Sequence, residues 1–338
     1  MSHDTLSDVL RTVRLRGAVF FYVSAGREWA AEAPAAREIA PAVMPGAEHM
    51  MQYHVVTSGD CWAGIVGQSP VRMGAGDIVL FAHGDAHVMS SAPGMRADPN
   101  VAWYHGARID ELPIRIAYEG TSGPQASPPG QSGLTSIVCG FLSCDVTPFN
   151  PLIATLPRML HLRVADRSNW VVQFLQQAVA ESHASRPGSE AMLARMSEML
   201  FVDAVRRHVD ALPAGSTGWL AGLRDRFVGR ALTLLHERPA DAWTLDELGR
   251  QVGLSRSALH ERFVQFVGTP PIQYLARWRM QVASGLLRNS NATVAAIALE
   301  VGYDSEAAFA RAFKRTTGVP PAAWRRAAAQ VPSAKGPQ

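Results

Sequence analysis

The period of the hydrophobic positions changes twice along the 338 residues. From about Gly17 to Val146, β-branched and aromatic residues come in short runs broken by Gly, Pro and Ser. Ala18–Val23, Tyr53–Thr57, Cys61–Val66, Asp77–Phe81 and Thr135–Leu142 read as strands. Short strands at this spacing favour a barrel or sandwich. The stretch Gly120–Gly133 reads as a surface loop. After Pro157 the apolar residues recur at helical spacing, which predicts helices over Ser168–Ala184 and Ser189–Val209, parted by Arg186-Pro187-Gly188 into a hairpin. Leu193, Met196, Leu200 and Val205 line one side of the second helix. Such a stripe packs either on its own barrel or against a second subunit.

The third texture begins after a short linker. The expected layout is a barrel domain over 1–157, a helical hairpin over 158–210, a linker over 211–221, an all-helical domain over 222–326 and a disordered tail over 327–338. The fold class is therefore α+β.

The helical domain contains an internal duplication. Leu248–Phe263 (LGRQVGLSRSALHERF) aligns with Ile297–Phe313 (IALEVGYDSEAAFARAF), with one extra residue, Asp304, in the second turn. Val252-Gly253 matches Val301-Gly302, Leu259 matches Phe309, Phe263 matches Phe313, and Gly268-x-Pro270 matches Gly318-x-Pro320. Each copy reads as helix-turn-helix. Thr244 or Thr293 caps a first helix, with Glu247 completing a capping box in the first copy. Gly253 or Gly302 ends that helix, and Ser255 or Ser305 caps the second. Leu248, Val252, Leu259 and Phe263 face inward, as do Ile297, Val301, Phe309 and Phe313. The opposite face of each second helix is left to enter a major groove. It carries Arg256, Ser257, His260 and Glu261 in the first copy, and Glu306, Ala307, Ala310, Arg311 and Lys314 in the second. Arg262, Arg277, Arg279, Arg315, Arg325 and Arg326 are expected on phosphates. The first face is the more polar, so it is expected to discriminate bases and the second to position. Between the copies, Pro271–Leu287 predicts a long helix that sets the two heads about one DNA turn apart.

Charge sharpens this picture. Residues 1–223 hold 16 Arg against 20 Asp and Glu, whereas 224–326 hold 15 Arg and Lys against 9 acids. The basic surplus sits where a polyanion is expected. The N-terminus lacks a signal pattern, no apolar run reaches membrane-spanning length, and three cysteines suit no disulfide framework. A cytoplasmic protein without membrane contact is expected.

Over Leu223–Arg326 these motifs resemble the AraC/XylS family of bacterial regulators: the RxRMQxAxxLL-like helix at Arg277–Leu287, the AxxVGYxSexxFxRaFKrxxGxxP block at Ala298–Pro320 and Trp324-Arg325. The resemblance implies a bihelical domain on double-stranded promoter DNA, and activation through RNA polymerase. Gly76–His87 resembles a second cupin motif, with Ala82 where many cupins have proline. Tyr53–Gly59 resembles the first motif without its His-x-His and glutamate ligands, against a cupin metalloenzyme with a helical appendage. The whole of Leu15–Asp145 is similar to cupin-type sensors of such regulators.

What that domain senses stays open between several expectations. His83, His87, Cys139 and Cys144 would make a tetrahedral zinc set if a bend brought the two cysteines to one face. Otherwise Cys139 is a core thiol. A thiol redox sensor is a further alternative. A small organic effector would lie in a cavity lined by Tyr53, His54, Trp62 and Trp103. A homodimer is expected.

Overall fold

A computed structural model of the chain describes residues 4–106, 114–121, 123–126, 133–163, 177 and 187–330. The expected hairpin helix Ser168–Ala184, save residue 177, lies outside the described residues, as do 331–338 of the expected tail. The chain divides into two compact units.

The first unit, Leu15–Cys144 with Leu156–Ala211, is built on a ten-stranded sheet. Its strands are β1 (Arg16–Ala33), β2 (His49–Ser58), β3 (Asp60–Ile65), β4 (Val71–Gly74), β5 (Ile78–Phe81), β6 (His87–Ser90), β7 (Ile114–Gly120), β8 (Gln125–Ala126), β9 (Thr135–Cys144) and β10 (Met159–Leu162). Their order is β10-β5-β2-β9-β1-β6-β3-β4, with β7 alongside β1. Where Ala18–Val23 reads as a short strand, β1 runs unbroken for 18 residues. Its first part pairs antiparallel with β9 and parallel with β7, and its end, Ala30–Ala33, pairs with β6. This strand therefore carries the sheet from the β9 side to the β6 side, joining its two parts. The expected loop Gly120–Gly133 holds the short β8.

Parity sorts the side chains. Residues 21, 23, 25 and 29 of β1, 61, 63 and 65 of β3, 79 and 81 of β5, and 137, 139 and 141 of β9 share one buried interior cluster. The opposite faces of β2 and β9 are buried as well. Helix α4 (Ser189–Ala211) accounts for part of this cover. Its Leu193, Met196, Leu200 and Val205 are all buried, so the stripe left open above packs on its own barrel. At Gly17 a Cβ would stand 2.6 Å from the Ser197 Cβ and 2.7 Å from the Ala194 carbonyl, so only glycine lets β1 and α4 approach this closely.

The second unit is not the tail end of the chain alone. It combines Met1–Arg14, Asp145–Thr155 and Leu212–Gln338, where a boundary at 157 was expected. Buried Asp145 explains the departure. Its carboxylate accepts from Arg14 at 2.7 Å and from Arg288 at 2.5 Å, so the segment before β1 and the one between β9 and β10 join the helices. The Arg288 and Asp145 side chains are only 8% and 9% exposed, and a buried pair of this kind is costly to break.

The helices of this unit are α1 (Thr5–Thr12), α5 (Trp219–Arg224), α6 (Arg226–Glu237), α7 (Leu245–Val252), α8 (Arg256–Val267), α9 (Pro271–Asn289), α10 (Val294–Glu300), α11 (Glu306–Thr317) and α12 (Pro321–Gln330). The barrel unit contributes α2 (Ala36–Val43) and α3 (Val101–Gly106). The expected linker over 211–221 shortens, because α4 reaches Ala211 and α5 starts at Trp219, which is buried with Leu220. Residues 327–330 of the expected tail are helical, since α12 continues to Gln330.

The duplication is visible in the caps. Thr244, Ser255, Thr293 and Ser305 each accept a hydrogen bond from the backbone N–H three residues on, at 3.1–3.3 Å. The capping box is half made: the Glu247 carboxylate accepts from Arg250 and Gln251 instead. Both turns close with the same pair of bonds, Leu254 N–H to the Gly249 carbonyl and Gly253 N–H to that of Arg250, repeated by Tyr303 to Ala298 and Gly302 to Leu299. Both turn glycines are left-handed, at φ 81° and 82°.

Their surroundings differ. A Cβ on Gly253 would meet nothing within 4 Å, but on Gly302 it would lie 2.5 Å from the Ala240 carbonyl oxygen. Gly253→Ala should therefore cost only the left-handed penalty, about 1 kcal/mol. Gly302→Ala should cost clearly more, and comparing the two variants by chemical unfolding checks it.

Candidate functional site

The barrel interior holds a small polar chain in an apolar setting. In β2, residues 52 and 54 share the inward parity, and the register sets His54 opposite Cys139 and Gln52 opposite Phe141. His87 enters from β6 and stacks on Phe81 at 3.7 Å between ring centroids. Cys139 Sγ lies 2.9 Å from His54 Nδ1, His54 Nε2 lies 2.6 Å from His87 Nε2, and His87 Nδ1 lies 2.9 Å from the Asp85 carbonyl oxygen.

The protons of this chain follow from its far end. A carbonyl oxygen only accepts, so His87 Nδ1 carries the proton and its Nε2 accepts from His54 Nε2–H. His54 Nδ1 then accepts from the Cys139 thiol. Every member is paired in its uncharged form. Burial agrees: it lowers both imidazoles, His87 to about 4, and raises the Cys139 thiol. Burial also pushes Cys61 up to about 12. Buried thiols held protonated are poor nucleophiles, which counts against the redox sensor.

The expected zinc set is not assembled. Cys139 and Cys144 sit five apart on a strand whose pairing with β2 runs without a bulge between them, so they face opposite ways. His83 Nε2 donates to the Leu156 carbonyl at 3.0 Å rather than turning inward. Among the described residues no group of three or more His, Cys, Asp or Glu side chains could hold a metal ion.

A cavity of about 50 Å³ adjoins the polar chain. His54, His87 and Cys139 line it, with Trp29, Gln52 and the rings of Phe21, Tyr104, Tyr118 and Phe141. The other residues expected there are elsewhere. Tyr53 has the opposite parity, and its hydroxyl meets Ser197 Oγ at 2.7 Å. Ser197 spends its own proton on the Leu193 carbonyl, so the tyrosine donates. Trp62 alternates with the inward Cys61 and Ala63 and faces away. Trp103 packs beside Phe21, with ring centroids 5.3 Å apart, without lining the cavity. Gln52 was legible in principle, two residues before His54 on one strand; nothing local marked Trp29.

The recognition faces lie in the helical unit. Arg256, Ser257, His260 and Glu261 are exposed on the first half of α8, and Glu306, Ala307, Arg311, Lys314 and Arg315 are exposed on α11, with Ala310 half-buried. Leu248, Leu259 and Phe263 are fully buried behind the first face and Ile297, Val301, Phe309 and Phe313 behind the second, while Val252 is half-buried.

Three arginines expected on phosphates serve the scaffold instead. Arg262 forks onto Asp225, the N-cap of α6, at 2.5–3.1 Å. Arg279 donates to the carbonyls of Pro239, Asp241 and Gly302. Arg325 donates to those of Leu287 and Ala292, at 3.3 and 2.5 Å. Sequence spacing cannot separate these from phosphate ligands, because a guanidinium satisfies a helix end and a phosphate with the same donors.

A cupin family model matches residues 4–210 and a helix-turn-helix domain model matches 248–327. An AraC-like transcription regulator of Streptomyces lividans is 31% identical over 325 residues, covering 96% of this chain and 98% of the relative. The transcriptional regulator AlkR of Acinetobacter baylyi is 28% identical, covering 92% and 95%. The RCS-specific transcriptional activator RclR of Escherichia coli is 30% identical, covering 58% and 70%. Among solved structures, the DNA-binding domain of AdpA in complex with a target DNA is 29% identical and covers 30% of this chain and 92% of its own, with a TM-score of 0.29. No helix among the described residues is long and apolar enough to cross a membrane.

The neutral imidazoles give the barrel a pH signature. Unfolding lets His87 rise from about 4 to its ordinary 6.5, so the unfolded chain binds more protons between those values. Stability should be complete above pH 6.5 and fall toward pH 4, with His87 contributing on the order of 3 kcal/mol. His87→Gln, whose amide oxygen can still accept from His54, should flatten the curve of unfolding free energy against pH over that window.

Proposed function

The chain belongs to the AraC-like transcription regulators, and on that premise we propose that it binds specific promoter sites under the control of a small molecule held in the barrel. The observation that carries the reading is the pairing of two built features in one chain. One is a duplicated pair of exposed recognition helices on rigid caps and cores. The other is an interior cavity with a polar chain along its wall.

On the DNA side, Arg256, Ser257 and His260 read base edges from the first head and Arg311 from the second, while Lys314 and Arg315 meet phosphates. Activation proceeds by contact with RNA polymerase, a reading supported by the name of the activator RclR among the relatives. The dimer surface we infer is not the barrel-packing stripe of α4 but its other side, where Met192 and Met199 are 43% and 53% exposed seven residues apart. Effector binding to the barrel shifts promoter occupancy through its differential affinity for two states of the chain.

Two outcomes test this. Arg311→Ala should lower the preference for the operator over random DNA by about 1–3 kcal/mol, and Arg315→Ala should weaken both alike, as read by footprinting and anisotropy titration. Equal losses on both DNAs for Arg311→Ala would contradict the assignment. Met192→Glu with Met199→Glu should lower the mass of the protein in multi-angle light scattering while leaving its circular dichroism unchanged.

A further inference from the structure

The segment that follows β9, residues 145–149, lies along one face of α9. Tyr274, Gln281 and Arg288 stand seven residues apart on that helix and Arg277 four before Gln281, so the four share a face. The Phe149 N–H donates to Gln281 Oε1 at 2.9 Å. The Phe149 ring meets Tyr274 edge-on at 5.4 Å between centroids and lies 4.2 Å beneath the Arg277 guanidinium. Farther along the helix, about 16 Å from Arg277, Arg288 donates to Asp145. Phe149, Gln281 and Asp145 are all buried.

Each end of this segment reaches a recognition helix through the α9 side chain it holds. At the Phe149 end, Tyr274 packs on Phe263 of α8, with centroids 5.8 Å apart. At the Asp145 end, the Arg288 guanidinium lies 4.6 Å over Trp324, and Trp324 packs edge-on against Phe313 of α11 at 5.7 Å. Phe263 and Phe313 are the matching positions of the two copies, each fully buried behind its exposed face. One short stretch of chain is thus connected to equivalent points of both heads.

A second connection lies about half a turn round α9 from Gln281 and Arg288. There Arg279 donates to the carbonyls of Pro239 and Asp241, ahead of the first copy, and to that of Gly302 in the second. A brace on one face leaves the heads free to hinge about it, because long helices bend. Braces on opposite faces remove that freedom.

We propose that Asp145 and Phe149 are positioning residues for DNA recognition: they tie the two recognition helices at one separation and angle, so that the chain demands one spacing between its half-sites. Both act through α9 and not by contact with DNA. The spacing role rests on the reading of α8 and α11 as the two DNA-reading heads.

The test uses the full chain with Phe149→Leu, which keeps the backbone donor and removes the ring, or Gln281→Met should that variant fail to fold. Gln265→Cys on α8 and Thr316→Cys on α11, both exposed positions, carry spin labels, since the native cysteines are buried. Double electron–electron resonance should give a narrow distance distribution between the heads of the parent and a broadened one in the variant, with circular dichroism unchanged. An equally narrow distribution in the variant would overturn the tie. An operator selected by the parent from random duplexes is then lengthened by one base pair between its half-sites, which rotates one of them by about a tenth of a turn. The insertion should weaken binding by the parent about tenfold or more and by the variant less than about threefold. The variant should also bind the original operator roughly three- to tenfold more weakly. Equal insertion penalties in parent and variant would refute the spacing role. Scrambling one half-site separates the two levels. A parent indifferent to that loss refutes the two-head reading and with it the spacing role, while the distance measurement still decides the tie.

Discussion

The register between β2 and β9 is the constraint on which the barrel depends. These strands pair from His49 opposite Cys144 to Ser58 opposite Ser136. A slip of β2 by one residue would turn His54 and Gln52 outward, away from Cys139, and bring Tyr53 into the cavity. The register is held from both sides at once. The inward set belongs to the interior cluster with Phe21, Trp29 and Phe81, and on the outward side Tyr53 is tied to Ser197 of α4. Burial on both faces explains why these strands look like continuous apolar runs in the sequence instead of alternating ones.

A second constraint acts in the helical unit through charge. Asp145 directly follows the last residue of β9, and its carboxylate is shared by Arg14 and Arg288. Three distant parts of the chain therefore meet at one buried acid. The same logic recurs at Asp225, which caps α6 and receives Arg262, and at Arg325, which satisfies backbone carbonyls near the end of α9. Part of the positive charge of residues 224–326 is consequently structural. The net balance therefore overstates what is available to DNA.

The two helix-turn-helix copies share one backbone solution and differ in how tightly it is held. Both turns close with the same bonds, yet Gly302 lies against the Ala240 backbone and Gly253 against open space. The second copy also has the more deeply buried core, since Val301 is fully buried where Val252 is half-buried.

The sequence by itself determined the local structure and the family. Caps at Thr244, Ser255, Thr293 and Ser305, turn glycines at 253 and 302, and buried residues such as Leu259 and Phe309 all follow from spacing, because a helix end or a turn is satisfied within a few residues of itself. Five of the ten strands of the barrel were legible from their β-branched and aromatic runs. The tertiary structure alone decided what depends on parity and on distant partners. It separated Cys139 from Cys144, sent Tyr53 and Trp62 outward, brought Gln52 and Trp29 to one cavity, and committed Arg262, Arg279 and Arg325 to the scaffold. A side chain's type tells which partners it can satisfy, but which one it meets is set by pairing register and by contacts dozens to more than a hundred residues apart in sequence.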